Sequence, residues 1–189
     1  RYGFSNEHWN AHAGIVIKMK NSDDVNDASR TTLSISGGTR VSQYNNHAPV
    51  DPFVNTISTL FNGLNVMKIY ENTFANINWI KKYENGIQLT TEVLYENRRP
   101  LSNTTSYTIK ASDSSKLTAN YPFEVVGIDE LVRHQAFIAS VGISFQPGLR
   151  YIQFPKNKMP IGSKYPVFSV KYTKGVSGLL DSDVDFDKW

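Results

Sequence analysis

Apolar and polar residues alternate along several stretches of the chain, and a period of two is typical of β-strands, whose successive side chains point to opposite faces. In the stretch 87–98, odd-numbered positions are mainly apolar and even-numbered positions mainly polar. The same alternation predicts further strands over 12–20, 31–43, 74–83, 136–146, 149–154 and 167–174. The pattern therefore predicts an all-β fold, an antiparallel meander of long strands.

The connections between these strands differ in length. Asn85-Gly86 separates the stretch 74–83 from 87–98, and both residue types tolerate the positive φ angles of a tight hairpin turn. By contrast, a long polar connection is predicted over 99–134. Short and long connections that alternate in this way are typical of outer-membrane β-barrels.

One segment has a helical period instead. Asp51 suits an N-cap and Pro52 suits the first helical position, while Gly63 weakens any continuation. We therefore predict one short helix near 52–62. Its apolar residues recur at the spacing of one helix face, namely Phe53, Ile57, Leu60 and Phe61.

Two architectures fit the alternation equally well. A soluble, secreted β-sandwich would place the apolar face on a core, and its exposed aromatic residues could bind carbohydrate. A transmembrane β-barrel would place the apolar face on lipid and the polar face on a lumen. Most of the predicted strands exceed the ~5–6 residues usual in soluble proteins and match the ~9–11 that a tilted membrane strand needs, which favours the barrel.

The barrel interpretation divides the strand residues into two sets. We predict these lipid-facing residues: Ile77, Trp79, Leu89, Val93, Tyr95, Phe137, Val141, Ile143, Phe168, Val170 and Tyr172. We predict these polar residues to face the lumen: Asn76, Asn78, Gln88, Thr90, Glu92, Glu96, Arg98, Ser140, Ser144 and Lys171.

Composition excludes several classes of protein and site. The chain of 189 residues has no cysteine, so it has neither disulfides nor cysteine-ligated zinc. Its net charge of +3 comes from scattered basic residues, so we expect no nucleic-acid partner. The sequence has no nucleophile elbow, phosphate loop or dinucleotide-binding motif. We therefore expect no catalytic residues, no metal and no cofactor.

Several short strings, in this order and spacing, resemble one known family. They are Tyr95-Glu96-Asn97-Arg98-Arg99-Pro100-Leu101, Gly162-Ser163-Lys164-Tyr165-Pro166 and Tyr172-Thr173-Lys174-Gly175. They resemble a Bacteroidota family of unknown function in which a carboxypeptidase-regulatory-like domain precedes a C-terminal outer-membrane β-barrel. The resemblance covers nearly the whole chain. It implies a location in the cell outer membrane, and an envelope transport, assembly or maintenance role without catalysis.

The expected domain organisation follows from the strand count. A closed barrel needs at least about eight strands, and six or seven are predicted here. We therefore expect 1–189 to be a single segment of a barrel domain whose remaining strands lie outside it. The expected partners are outer-membrane lipid and, as further candidates, other envelope proteins.

Overall fold

A computed structural model describes residues 2–3, 8–20, 27–45, 47–101, 109, 120, 132–155 and 157–189. These residues form eleven strands, one α-helix and one short 3-10 helix over Leu179–Asp181. The strands are β1 Tyr2–Gly3, β2 His8–Trp9, β3 Ala11–Lys20, β4 Arg30–Gln43, β5 Ile69–Lys82, β6 Ile87–Pro100, β7 His134–Phe145, β8 Arg150–Phe154, β9 Asn157–Gly162, β10 Phe168–Gly175 and β11 Phe186–Lys188.

Seven strands form one antiparallel meander sheet in the order β11-β10-β7-β6-β5-β4-β3. Strands that follow each other in sequence are therefore neighbours in the sheet, except where β8 and β9 form a separate two-stranded hairpin between β7 and β10. β1 and β2 form another two-stranded sheet. The predicted all-β meander is confirmed, and within the described residues the main sheet is open, with β3 and β11 at its edges.

The predicted hairpin between β5 and β6 is confirmed. The amide of Tyr83 donates to the carbonyl of Ile87 at 2.8 Å, and the amide of Gly86 donates to the carbonyl of Tyr83 at 3.2 Å. Gly86 has a φ of 86°, a backbone conformation that side chains with a Cβ rarely adopt. The turn chemistry of Asn85-Gly86 therefore sets the register of these two long strands.

Five strand assignments from the sequence need correction. β1 and β2 were not predicted because two residues are too short to show a period of two. β5 begins at Ile69, five residues before the predicted start at 74, and the side chain of Asn120 forms hydrogen bonds with the backbone amide and carbonyl of Ile69 at this start. β9 was not predicted because it contains Pro160, which a strand accommodates at an edge or a bulge. The register of β8 and β9 shifts between Arg150 and Tyr151, and Tyr151 pairs with Pro160. β11 was missed because it has only three residues.

The helix, α1, spans Pro52–Asn62 as predicted. The Asp51 carboxylate accepts the amide of Phe53 at 2.8 Å, and Gly63 ends the helix in the left-handed conformation with a φ of 68°. The amide oxygen of Asn55 accepts the amides of Val66 and Met67, both at 2.8 Å, so a polar side of α1 is attached to the chain that follows it. Exposed apolar side chains recur along the helix at Phe53, Val54, Ile57 and Phe61.

Contacts group the chain into two compact units. One comprises 1–12, 38–73 and 97–134, and the other comprises 13–37, 74–96 and 135–189. Most of the connection predicted over 99–134 lies outside the described residues. Among the described helices, none is long and apolar enough to cross a membrane.

Candidate functional site

The register of β7 and β10 separates the side chains of these strands into two faces. Phe145 pairs with Phe168, Ile143 with Val170 and Val141 with Tyr172, and these residues share one face. The alternating pairs place Ser144 opposite Ser169, Gly142 opposite Lys171 and Ser140 opposite Thr173. We call the side with the predicted lipid-facing residues the apolar face and the side with the predicted lumen-facing residues the polar face.

The apolar face has exposed aliphatic and aromatic side chains. Five of its predicted residues are exposed, namely Ile77, Val141, Ile143, Phe168 and Val170. The other six are half-buried, namely Trp79, Leu89, Val93, Tyr95, Phe137 and Tyr172. Val141 has 57% of its surface exposed and Val170 has 60%. No described element therefore packs over this side of β7 and β10 as a hydrophobic core would.

The polar face is less exposed than the apolar face. Ser140 and Glu96 are buried, each with 5% of its surface exposed, and Lys171 is exposed. The remaining predicted residues are half-buried, namely Asn76, Asn78, Gln88, Thr90, Glu92, Arg98 and Ser144. Soluble proteins bury apolar side chains and leave charged ones in water, so this arrangement is inverted.

Side chains from three strands meet around Glu92 on the polar face. One carboxylate oxygen of Glu92 accepts a hydrogen bond from the side-chain amide nitrogen of Asn76 at 3.0 Å. The other oxygen lies 3.3 Å from the Lys171 ammonium nitrogen. Nearby, the Ser140 hydroxyl lies 3.0 Å from the Thr173 hydroxyl. The polar face is therefore a hydrogen-bonded surface in which β5, β6, β7 and β10 all take part.

Three other predicted residues of the polar face, Gln88, Thr90 and Arg98, make local contacts. The Gln88 amide nitrogen lies 3.4 Å from the Thr90 hydroxyl. Arg98 stacks its guanidinium 5.8 Å from the centre of the Tyr70 ring, and Tyr70 in turn packs against Tyr44 with 4.8 Å between ring centres. Burial raises the pKa of the Tyr44 hydroxyl, so Tyr44 stays neutral in this aromatic cluster.

Polar and aromatic side chains collect at the β11 end of the apolar face. Lys174 lies 3.0 Å from both the Asp185 and the Asp187 carboxylates, and the Tyr172 hydroxyl donates to Asp187. The Trp189 ring packs on Tyr172 with 4.6 Å between ring centres. Tyr and Trp side chains combine a large apolar ring with one polar group. They are typical of the boundary between an apolar environment and water.

Sequence reasoning did not identify all the residues that shape these faces. Gly142 was treated as an ordinary polar-face position, but it is the residue of β7 that pairs with Lys171. The alternation of 167–174 places Thr173 on the polar face with Ser169 and Lys171, and the structure shows that its hydroxyl contacts Ser140. Strand parity places both residues on the polar face, but only the register shows which side chains they oppose. Within the described residues, no group of three or more His, Asp or Glu side chains could hold a metal ion.

The fold and its two faces define the class of protein, which is an all-β protein with an antiparallel meander sheet and an exposed apolar face. The chain belongs to the family of unknown function DUF5686, as its C-terminal domain, and the family model matches residues 1–189. No curated protein matches the chain. No solved structure matches it.

Proposed function

We propose that the chain is a segment of an outer-membrane β-barrel with an envelope transport, assembly or maintenance role and no catalytic activity. The apolar face would contact lipid and the polar face would line the lumen. The observation that carries the proposal is the contrast between neighbouring residues of β7, because Val141 is 57% exposed and Ser140 is 5% exposed. Lipid removes the cost of exposing valine. On the other side of the strand, the hydroxyl of Thr173 satisfies the buried hydroxyl of Ser140.

Strand length supports the proposal. β4, β5 and β6 each have 14 residues, and β7 has 12. A tilted membrane strand needs ~9–11 residues, so each of these strands is long enough to cross a bilayer. The main sheet has seven strands, and a barrel needs at least about eight, so the edges at β3 and β11 would pair with further strands.

The cluster at Tyr172, Lys174 and Trp189 also supports the proposal. Outer-membrane barrels have aromatic girdles where the apolar band meets the headgroups, and lysine side chains extend their charge towards water there. The ion pairs of Lys174 with Asp185 and Asp187 would lie at this boundary. The remaining parts of the proposal, an N-terminal carboxypeptidase-regulatory-like domain and a Bacteroidota source, rest on the sequence resemblance alone.

Cysteine labelling of two neighbouring residues of β10 tests the proposal. Ser169 and Val170 are both exposed and lie on opposite faces, and the chain has no cysteine of its own. In outer-membrane vesicles, Ser169→Cys should react with a charged maleimide. Val170→Cys should react only with an apolar maleimide, because lipid excludes the charged reagent.

Labelling after unfolding in urea is the control, since both cysteines should then react completely with both reagents. Equal reaction of both folded variants with the charged maleimide would contradict the barrel. That result would favour the other architecture, a soluble β-sandwich that binds carbohydrate through exposed aromatic residues such as Phe168.

A further inference from the structure

A cavity of about 650 Å³ lies where β4 and β6 begin and β5 and β7 end. Each of these strands contributes one polar side chain to the cavity wall, namely Arg30, Lys82, Gln88 and Ser144. Ligand sites for organic molecules usually have volumes of ~300–1,000 Å³, so the cavity has the size of such a site.

The β8–β9 hairpin covers one side of this cavity and is fixed to the β5–β6 turn. The Tyr151 hydroxyl donates to the backbone carbonyl of Glu84 at 2.9 Å, and the Lys158 ammonium forms an ion pair with the Glu84 carboxylate. Lys158 also lies 5.2 Å from the centre of the Tyr151 ring. These contacts hold the hairpin in place, so the cavity wall is already formed without a ligand.

The charge of the wall indicates the kind of ligand. Arg30, Lys82 and Lys158 line the cavity, and its described lining residues include neither Asp nor Glu. Glu84 is not a lining residue and contacts Lys158 from the turn. Arginine and lysine together are the usual partners of phosphate oxygens, because guanidinium groups bind two oxygens at once and ammonium groups act as point charges.

The rest of the wall is apolar. Ile87, Leu149, Met159 and Val167 line the cavity alongside the cationic residues. A ligand that fills this space therefore needs an anionic group at one end and an apolar portion at the other. Free inorganic phosphate would leave the apolar wall in contact with water.

We propose that this cavity binds a small organic phosphate with an apolar portion, held by Lys82, Arg30 and Lys158. Glu84 offsets the charge of Lys158, so Arg30, Lys82 and the Lys158–Glu84 pair together have about two net positive charges. A phosphate monoester has a charge of about −1.5 to −2 at pH 7, which matches this wall better than a singly charged carboxylate does. The source of the phosphate is either a phospholipid with a monoester headgroup, as in phosphatidic acid, or a soluble phosphate monoester. The site goes beyond the proposed barrel, because it requires the same residues whether the polar face lines a lumen or contacts open water.

Calorimetric titration of the full chain in non-ionic detergent tests the proposal with three probes. Dihexanoyl phosphatidic acid combines a phosphate with short acyl chains, glycerol 3-phosphate has the phosphate alone, and dihexanoylglycerol has the acyl chains alone. Both phosphate probes should bind and dihexanoylglycerol should not. Phosphatidic acid should bind more tightly than glycerol 3-phosphate, because only its acyl chains fill the apolar part of the cavity, and this result identifies a phospholipid source. Equal binding would overturn the apolar portion of the proposed ligand and leave a soluble phosphate ester.

The Lys82→Gln variant should weaken the binding of phosphatidic acid about tenfold, because charged hydrogen bonds to phosphate are among the stronger polar contacts. Lys82 is exposed at the end of β5, so its replacement should leave the fold intact. Lys18→Gln is the matched control, since it removes the same charge from the exposed strand β3 and should leave binding unchanged. The proposal is overturned if no phosphate probe binds, if dihexanoylglycerol binds as tightly as phosphatidic acid, or if both variants weaken binding equally.

Discussion

Lys171 on β10 places its ammonium nitrogen 3.3 Å from the Glu92 carboxylate on β6, although β7 lies between these two strands. The residue of β7 that pairs with Lys171 is Gly142, and a Cβ built there would lie 3.8 Å from the Lys171 Cβ and Cγ. A Cβ at this distance would make an ordinary van der Waals contact, so only a longer side chain at position 142 would occupy the path of the lysine over β7. The polar face is therefore shaped by a small residue as much as by its charged ones.

A double-mutant cycle of Lys171→Met and Glu92→Gln measures this contact. The side chains are 58% and 28% exposed, so solvent screens the pair, and a coupling of ~0.2–1 kcal/mol is expected. The coupling should be smaller in 0.5 M salt, because salt screens the attraction between the two charges. The same cycle repeated in the Gly142→Leu background should give no coupling, because the leucine side chain would occupy the path of Lys171. A coupling that does not change with Gly142→Leu would contradict this path.

The free energy of unfolding of a Val141→Arg variant tests whether the apolar face contacts lipid. If β7 crosses a bilayer, Val141→Arg should lower the free energy of unfolding in lipid vesicles by ~2–4 kcal/mol near the midplane. Ser169→Arg is the control on the polar face and should change it by less than ~1 kcal/mol. Both residues are exposed in the structure, so a soluble protein would tolerate both substitutions alike.

Gly86 and Gly63 form a matched pair for testing the β5–β6 turn. Both have positive φ angles, 86° and 68°, but a Cβ at Gly86 would lie 2.2 Å from the Gln146 carbonyl oxygen, whereas a Cβ at Gly63 meets nothing within 4 Å. Gly63→Ala should cost about 1–2 kcal/mol of stability from the backbone conformation alone. Gly86→Ala should cost more, because it also displaces the backbone of Gln146, whose amide donates to Gly86. Thermal unfolding of both variants checks the order, and equal costs would refute the steric argument.

Lys68 should give the stability a pH dependence. Its side chain is buried at the start of β5, and burial lowers the pKa of its ammonium group. Between the lowered pKa and the usual value of 10.5, the unfolded chain binds more protons than the folded chain, so stability rises with pH through this window. Lys68→Met should remove this part of the slope. Denaturant unfolding at several pH values up to 10.5 measures the difference, and parallel curves for both proteins would contradict it.

The elements that the sequence predicted correctly depend on local chemistry. The alternation of 87–98 lies within β6, the Asn85-Gly86 turn joins it to β5, and the caps Asp51 and Gly63 fix the ends of α1. Turn and cap residues satisfy backbone groups within a few positions of themselves, so their effects can be read from neighbouring letters.

The missed start of β5 depends on a distant residue. The side-chain oxygen of Asn120 accepts a hydrogen bond from the backbone amide of Ile69 at 3.0 Å. Its side-chain nitrogen donates to the backbone carbonyls of Ile69 and Leu101 at 2.9 and 2.8 Å. A side-chain amide thus satisfies the backbone at the start of the strand, where the sequence has the polar residues Glu71, Asn72 and Thr73. No periodicity within 69–73 could indicate a partner 51 positions away.

The sequence by itself determined the helix and most of the long strands, together with the alternation of side chains along them, because period, caps and turns act over a few residues. Only the tertiary structure decided which side chains from different strands contact each other. The order of the strands lets Lys171 extend over Gly142 to Glu92, and the β8–β9 hairpin covers the cationic ends of β4 and β5. These contacts join residues far apart in the chain, and they exist only after the sheet has set its register.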